Sequence, residues 1–232
     1  MIASQEGPGD DNEYDYQHLR NIKTDLIGYT YTSGNEMYDG SQGGDDLAGN
    51  PTREMVSAAI NEGRGIINYT GHGSTTNIVT SGFNVTDINT LTNDFRLPFM
   101  ISVGCVNGNF AGNTCFAESM LWATNNGNPT GAIAVLASSI DQAWSPPMAG
   151  QDEMMDILVE SYNDNVRRTF GGIVVNGCMF MNDQYGYNGY EMTNTWTLFG
   201  DPTLMVGTKA PETFTASYSP IFVVGESALQ IN

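Results

Sequence analysis

Two positions carry reactive side chains in a setting that suits catalysis. His72 is one of two histidines in the chain and is flanked by Gly71 and Gly73; Cys105, one of three cysteines, follows 33 residues later in Gly104-Cys105-Val106-Asn107-Gly108. A thiol beside an imidazole is what nucleophilic catalysis needs, because the base raises the thiolate fraction and the imidazolium then protonates the leaving amine. The two glycines let the backbone turn sharply and approach a substrate closely. The backbone N–H groups of Gly73 and Cys105 are candidates to meet a developing oxyanion. A plainer reading exists for both residues: a free Cys ending a buried strand serves as a small hydrophobe, and a lone His as a satisfied polar group. Two His and three Cys without CxxC or HxxxH spacing argue against a structural zinc site.

The elements that must position this pair read as alternating strands and helices. Gly65-Ile66-Ile67-Asn68-Tyr69 is an apolar run that breaks just before His72, Leu97 to Val103 runs up to Cys105, and Gly131 to Ala137 is a third buried strand. Helical spacing appears in Tyr14 to Gly28 (Leu19, Ile22, Leu26, Ile27), and after a Thr52 N-cap in Met55, Val56, Ala59 and Ile60, ending at Glu62-Gly63. Further helices are expected over Thr86 to Leu91, at Phe116, Ala117, Met120 and Leu121, at Met154, Ile157 and Leu158, and around Cys178. Near-continuous apolar strands between amphipathic helices imply an α/β fold with a mostly parallel sheet covered on both faces. Ligands bind beyond the carboxyl ends of such strands. The strands ending at His72 and Cys105 are expected neighbours, since one short helix connects them. Glu6 to Asn12 and Ser33 to Asn50 read as polar loops, and Gly127-Asn128-Pro129 as a turn.

Composition narrows the partners. The 232 residues include 26 acidic and 8 basic side chains, a formal charge of −18, which argues against nucleic acid and anionic membrane surfaces as partners. With 40% hydrophobic and 10% aromatic residues the chain has enough apolar material to fold. No apolar run approaches the roughly 20 residues of a membrane span, and the first residues lack the basic start and apolar stretch of a signal peptide. An odd number of cysteines, three, excludes a disulfide scaffold.

Asn68-Tyr69-Thr70-Gly71-His72-Gly73-Ser74, followed by Cys105-Val106-Asn107-Gly108, resembles the catalytic core of the gingipains, secreted cysteine endopeptidases with a caspase-like fold. The similarity continues through Cys115-Phe116-Ala117-Glu118, Pro129-Thr130-Gly131, Gln151-Asp152-Glu153-Met154, Arg168 to Gly172 and Phe199-Gly200-Asp201-Pro202. It implies a caspase-like three-layer α/β/α domain over residues 1–208, lacking an upstream α/β subdomain, followed at 209–232 by the truncated start of an immunoglobulin-like β domain. The alternation of Phe214, Ala216 and Tyr218 and the run Ile221 to Val224 fit that second unit.

Position by position, the resemblance makes Cys105 the nucleophile, His72 its acid/base partner and Glu6 the acid that orients the His. It makes Asp15 the carboxylate at the floor of the pocket for the side chain preceding the scissile bond, with Trp144 and Met148 lining that pocket. A buried carboxylate selects a cation, and Trp can cover or stack on a guanidinium. Read locally, Glu6 is a solvated loop carboxylate, Asp15 an acid in a helix's first turn, and Trp144 a packed aromatic in a Pro-rich loop. The implied activity is cleavage of peptides and proteins after basic residues, Arg before Lys, by a protein secreted or held at the cell surface as part of a larger precursor. A sortase-like transpeptidase of the same family and a catalytically dead extracellular binding module are the alternatives. No cofactor is needed for the chemistry; structural Ca²⁺ is expected by resemblance, with the acidic loops Glu6 to Asp11 and Asp39 to Asp46 as candidate holders and no ligand assigned.

Overall fold

The computed structural model describes residues 1–208 together with Thr215 and Ser217. In chain order the strands are β1 (Ile2–Ala3), β2 (Met37–Tyr38), β3 (Ile66–Thr70), β4 (Gly73–Ser74), β5 (Asn77–Ile78), β6 (Phe99–Val103), β7 (Thr124–Asn125), β8 (Asn128–Pro129), β9 (Ala134–Ser138) and β10 (Trp196–Gly200). The helices are α1 (Asp15–Tyr29), α2 (Arg53–Asn61), α3 (Val85–Ile88), α4 (Phe116–Trp122), α5 (Ser145–Leu158), α6 (Phe170–Tyr185) and α7 (Tyr187–Thr195). Six strands form one sheet in the order β10-β9-β6-β3-β1-β2. All its pairings are parallel except β10 with β9.

The strands read from sequence are those buried on both faces. Every residue of β6 and β9 is buried, and side chains alternate between two cores. Phe99, Ile101 and Val103 face the core shared with α1, α5 and α6, whereas Met100 faces the core shared with α2, α3 and α4. Helices therefore cover both faces of the sheet, and the arrangement is the three-layer α/β/α one expected. Local signals set the helix starts: Thr52 Oγ1 accepts from Met55 N–H at 3.3 Å, and Asn84 and Asp87 cap α3 reciprocally. Pro146 and Pro147 sit in the first turn of α5, where their missing N–H groups cost nothing.

The structure departs from the sequence reading in places. The polar stretch 33–50 contains β2, whose Tyr38 is fully buried, and a two-residue strand β1 precedes the first loop. The helix expected over Thr86 to Leu91 is one turn, Val85–Ile88, because its own cap ends it at Asn89. Ile27 lies outside the apolar face of α1 and is 40% exposed. The turn at Gly127 joins a small hairpin, β7 with β8. The expected β domain from Pro211 onward lies outside the described residues except for Thr215 and Ser217.

Candidate active site

β3 and β6 are neighbours in parallel register, with Thr70 opposite Val103 at their carboxyl ends. His72 and Cys105 each follow two residues later, so the fold delivers them to equivalent positions at one end of the sheet. Gly71 N–H donates to Val103 O at 3.0 Å, continuing the ladder by one bond. The backbone then crowds at Gly73, where a Cβ would collide with the Cys105 carbonyl oxygen and lie 3.0 Å from both Cys105 N and Asn107 Oδ1. Only glycine fits that approach, which brings the two candidate oxyanion donors of the sequence, Gly73 and Cys105, side by side.

Each reactive residue has its own anchors. The Tyr69 hydroxyl and the Val79 N–H both donate to His72 O. Asn107 is buried and ties the two loops together: its Nδ2 donates to Ser74 O at 2.7 Å and Asn77 O at 2.8 Å, while Oδ1 accepts from Ser102 Oγ at 2.8 Å. Val106, directly after Cys105, has φ +50, a left-handed conformation rare for a β-branched residue. Its N–H is held by Ile140 O at 3.0 Å, so the strain is fixed in place beside the thiol. Cys105 is half-buried and its Sγ accepts from Gln142 N–H at 3.3 Å.

Glu6 Oε1 and His72 Nε2 are 3.1 Å apart. That contact occupies Nε2 and leaves Nδ1 as the imidazole's other nitrogen. The His72 ring also meets the Trp144 ring edge-to-face, with centroids 5.3 Å apart. Trp144, Met148, Gln142 and Cys105 line a cleft enclosing about 260 Å³, whose other walls include Thr70, Gly71 and Val103. Asp15 is not among its lining residues. It is fully buried at the start of α1, where its carboxylate accepts from Ser4 Oγ and from Trp144 Nε1–H, the latter at 3.1 Å. Burial pushes its pKa up to about 6 against the opposing pull of those two hydrogen bonds. Trp144 thus both lines the cleft and covers the carboxylate expected at its floor. A larger pocket of about 640 Å³, bordered by Met1, Leu26, Tyr31, Val56 and Ile66, opens at the other end of β3, away from His72 and Cys105.

All of the singled-out residues therefore fall at one end of the sheet: Cys105 and His72 beyond its strands, Glu6 on His72, Trp144 and Met148 in the cleft wall, and Asp15 buried behind Trp144. Sequence reasoning passes over Ser4, Gln142, Asn107, His18 and Gln151, which hold these residues in place. The other two cysteines differ from Cys105: both are buried, and burial raises their thiol pKa values, that of Cys178 to about 11.

Among the described residues no group of three or more His, Cys, Asp or Glu side chains is placed to hold a metal ion. In the second acidic loop Asp46 accepts from the Tyr38 and Gln42 N–H groups, and Asp45 is paired with Lys23. No helix among the described residues is long and apolar enough to cross a membrane.

The chain is similar to known proteins over most of its length. Gingipain R2 of Porphyromonas gingivalis (strain ATCC BAA-308 / W83) is 45% identical over 213 residues, covering 90% of this chain and 28% of the relative. Gingipain R1 of Porphyromonas gingivalis is likewise 45% identical over 213 residues, covering 90% of this chain and 21% of that protein. The crystal structure of the Arg-specific cysteine proteinase gingipain R superposes with a TM-score of 0.89 at 41% identity, over 99% of this chain and 52% of that one. The complex of Porphyromonas gingivalis RgpB pro- and mature domains gives 0.87 at 40% identity, over 99% and 53%. The chain thus spans about half of the solved gingipain chains and between a fifth and three tenths of these curated relatives. The model of peptidase family C25 matches residues 1–207, and the chain belongs to that family.

Proposed function

We propose that this chain is the catalytic part of a cysteine endopeptidase that cleaves proteins and peptides after basic residues, arginine before lysine. Cys105 attacks the scissile carbonyl carbon as a thiolate, and the Gly73 and Cys105 N–H groups receive the oxyanion. His72 protonates the departing amine, leaving a thioester; a water deprotonated by His72 then releases the acid and restores the thiol. Glu6 orients the imidazole. The arginine side chain enters along Trp144 and Met148, displaces the indole N–H from Asp15, and pairs its planar guanidinium with the carboxylate, which the shorter lysine ammonium does less well. The relatives' names, which include Arg-specific gingipain R, support arginine. The same kinship supports protein substrates and a secreted or cell-surface setting.

The observation that carries this reading is the placement of His72 and Cys105 at equivalent positions beyond neighbouring parallel strands, beside a cleft whose Trp144 covers a buried carboxylate. The test is hydrolysis of matched Arg, Lys and Leu peptides by the natural-length protein, its Cys105→Ala variant and its Asp15→Ala variant. Cleavage in the order Arg, Lys, Leu, abolished by Cys105→Ala, is expected. Losing the anchor in Asp15→Ala should cost about 3 kcal/mol, or at least about a hundredfold in kcat/KM on Arg. Undiminished Arg cleavage in Asp15→Ala would remove the pocket assignment.

A further inference from the structure

Gln151 lies on α5 one turn beyond Met148 and has no exposed surface. Every hydrogen-bonding position of its side-chain amide is used. Oε1 accepts from Thr70 Oγ1 at 2.7 Å and from His18 Nε2 at 3.1 Å; Nε2 donates to Asn68 Oδ1 at 3.1 Å and to Tyr69 O at 3.4 Å. One side chain therefore joins three elements. α5 carries Trp144 at its N-cap and Met148; β3 leads into Gly71 and His72; α1 begins at Asp15, three residues before His18.

The other polar tie between α1 and α5 beside the cleft is the bond from Trp144 to Asp15. A cation that pairs with Asp15 displaces that bond, so in the substrate complex the Gln151 amide is the polar tie that remains between the two helices beside the cleft, alongside the apolar core they share. His72 and Cys105 do not depend on it in the same way. His72 is held by Tyr69, Val79 and Glu6, and Cys105 by Gln142 and the Val106–Ile140 bond. Buried polar networks of this kind fix geometry when every member is satisfied, and lose it when one donor is removed.

Resting on the endopeptidase reading above, we propose that Gln151 is a positioning residue for cation recognition: it sets the distance between Asp15 and the Trp144–Met148 wall without acting on the nucleophile. Gln151→Glu keeps the size and the acceptor while removing the two donated bonds. Gln151→Met removes all four, and Thr70→Val deletes one without changing shape.

The experiment measures kcat and KM of the natural-length protein and these three variants on peptides with arginine or its uncharged isostere citrulline before the scissile bond. The iodoacetamide alkylation rate of Cys105 is followed in parallel. In both Gln151 variants KM for the arginine peptide should rise about tenfold or more with kcat held within about threefold, and the preference for arginine over citrulline should fall about tenfold. Thr70→Val should move both in the same direction by about threefold, and the alkylation rate should stay within about twofold throughout. An unchanged arginine preference in folded variants would overturn the role, as would a fall in kcat and alkylation rate with KM unmoved. Failure of the unaltered protein to cleave the arginine peptide would instead overturn the endopeptidase reading itself.

Discussion

The indole N–H of Trp144 donates to Asp15 Oδ1 at 3.1 Å, so the residue that walls the cleft also caps the carboxylate behind it. Burial lifts Asp15 to about 6. Below that pH the carboxyl is neutral and gives a guanidinium no counter-charge. The ratio of kcat/KM for arginine over citrulline peptides should therefore climb as pH rises through about 6, and in Asp15→Asn it should be low and flat. Taking the ratio cancels every pH effect on the bond-breaking steps, which act equally on both peptides. A flat ratio in the unaltered protein would show that Asp15 does not meet the substrate.

The same shift has a stability consequence of opposite sense. The folded carboxyl binds its proton more tightly than at its ordinary value of 3.8, so its contribution to stability is complete below that value and is lost as pH rises through about 6. A difference of about 2 pH units corresponds to about 3 kcal/mol as an upper figure. Asp15→Asn cannot ionise and escapes that loss. Its melting temperature relative to the unaltered protein should shift upward between pH 4 and pH 7, whatever the offset at pH 4. A constant offset across that range would mean that the native fold accepts the charged carboxylate without cost.

Glu6 should matter less than its contact with His72 suggests. The Glu6 and His72 side chains are 53% and 49% exposed, and a pair so open to water gains little from its charge. Glu6→Gln keeps an acceptor for His72 Nε2 and should lower kcat/KM only about twofold to tenfold, against about a thousandfold or more for His72→Ala. A hundredfold loss in Glu6→Gln would show that the carboxylate's charge, and not its position, drives the imidazole.

β3, β6 and β9 are legible in the sequence because parallel strands covered on both faces must be apolar throughout, and the points where two of those runs break mark His72 and Cys105 as neighbours at one end of the sheet. β1 and β2 escape because each is only two residues in a polar stretch, and their pairing is decided by partners far along the chain, Ile2 with Tyr69 and Ile2 with Met37. α6 is visible only around Cys178. Gly171, Gly172 and Gly177 dilute its apolar pattern, yet Gly177 lets it pack against α5, since a Cβ there would meet Gly150 O and Met154 at 2.5 Å. Asp15, Trp144 and Glu6 have no local signature and are reached only by resemblance. His18 and Gln151 are 133 residues apart and meet only in the folded core, so nothing in either neighbourhood announces the contact.

The three thiols should separate cleanly by reactivity. Cys115 and Cys178 are buried with raised pKa values, the latter to about 11, whereas Cys105 is half-exposed beside the cleft. Limiting iodoacetamide at neutral pH followed by peptide mapping should find label on Cys105 first. Earlier labelling of Cys178 would count against the nucleophile assignment.

Gly73 offers the most local test of the oxyanion geometry. A methyl at this position would strike the Cys105 carbonyl oxygen and press on Cys105 N and Asn107 Oδ1 at 3.0 Å, all of them backbone or buried atoms that cannot swing aside. Gly73→Ala should therefore push the His72 loop and the Cys105 loop apart and misdirect both N–H donors. Losing one such donor costs about a hundredfold to a thousandfold in kcat. Gly28→Ala is the control: Gly28 is on α1 with nothing within 4 Å of a Cβ, and the change should stabilise the helix by about 0.5–1 kcal/mol with kcat unchanged. Circular dichroism and melting of both variants separate local misalignment from unfolding. Full activity in Gly73→Ala would mean that the two loops yield to the methyl, and that the close approach of Gly73 to Cys105 is not what aligns the donors.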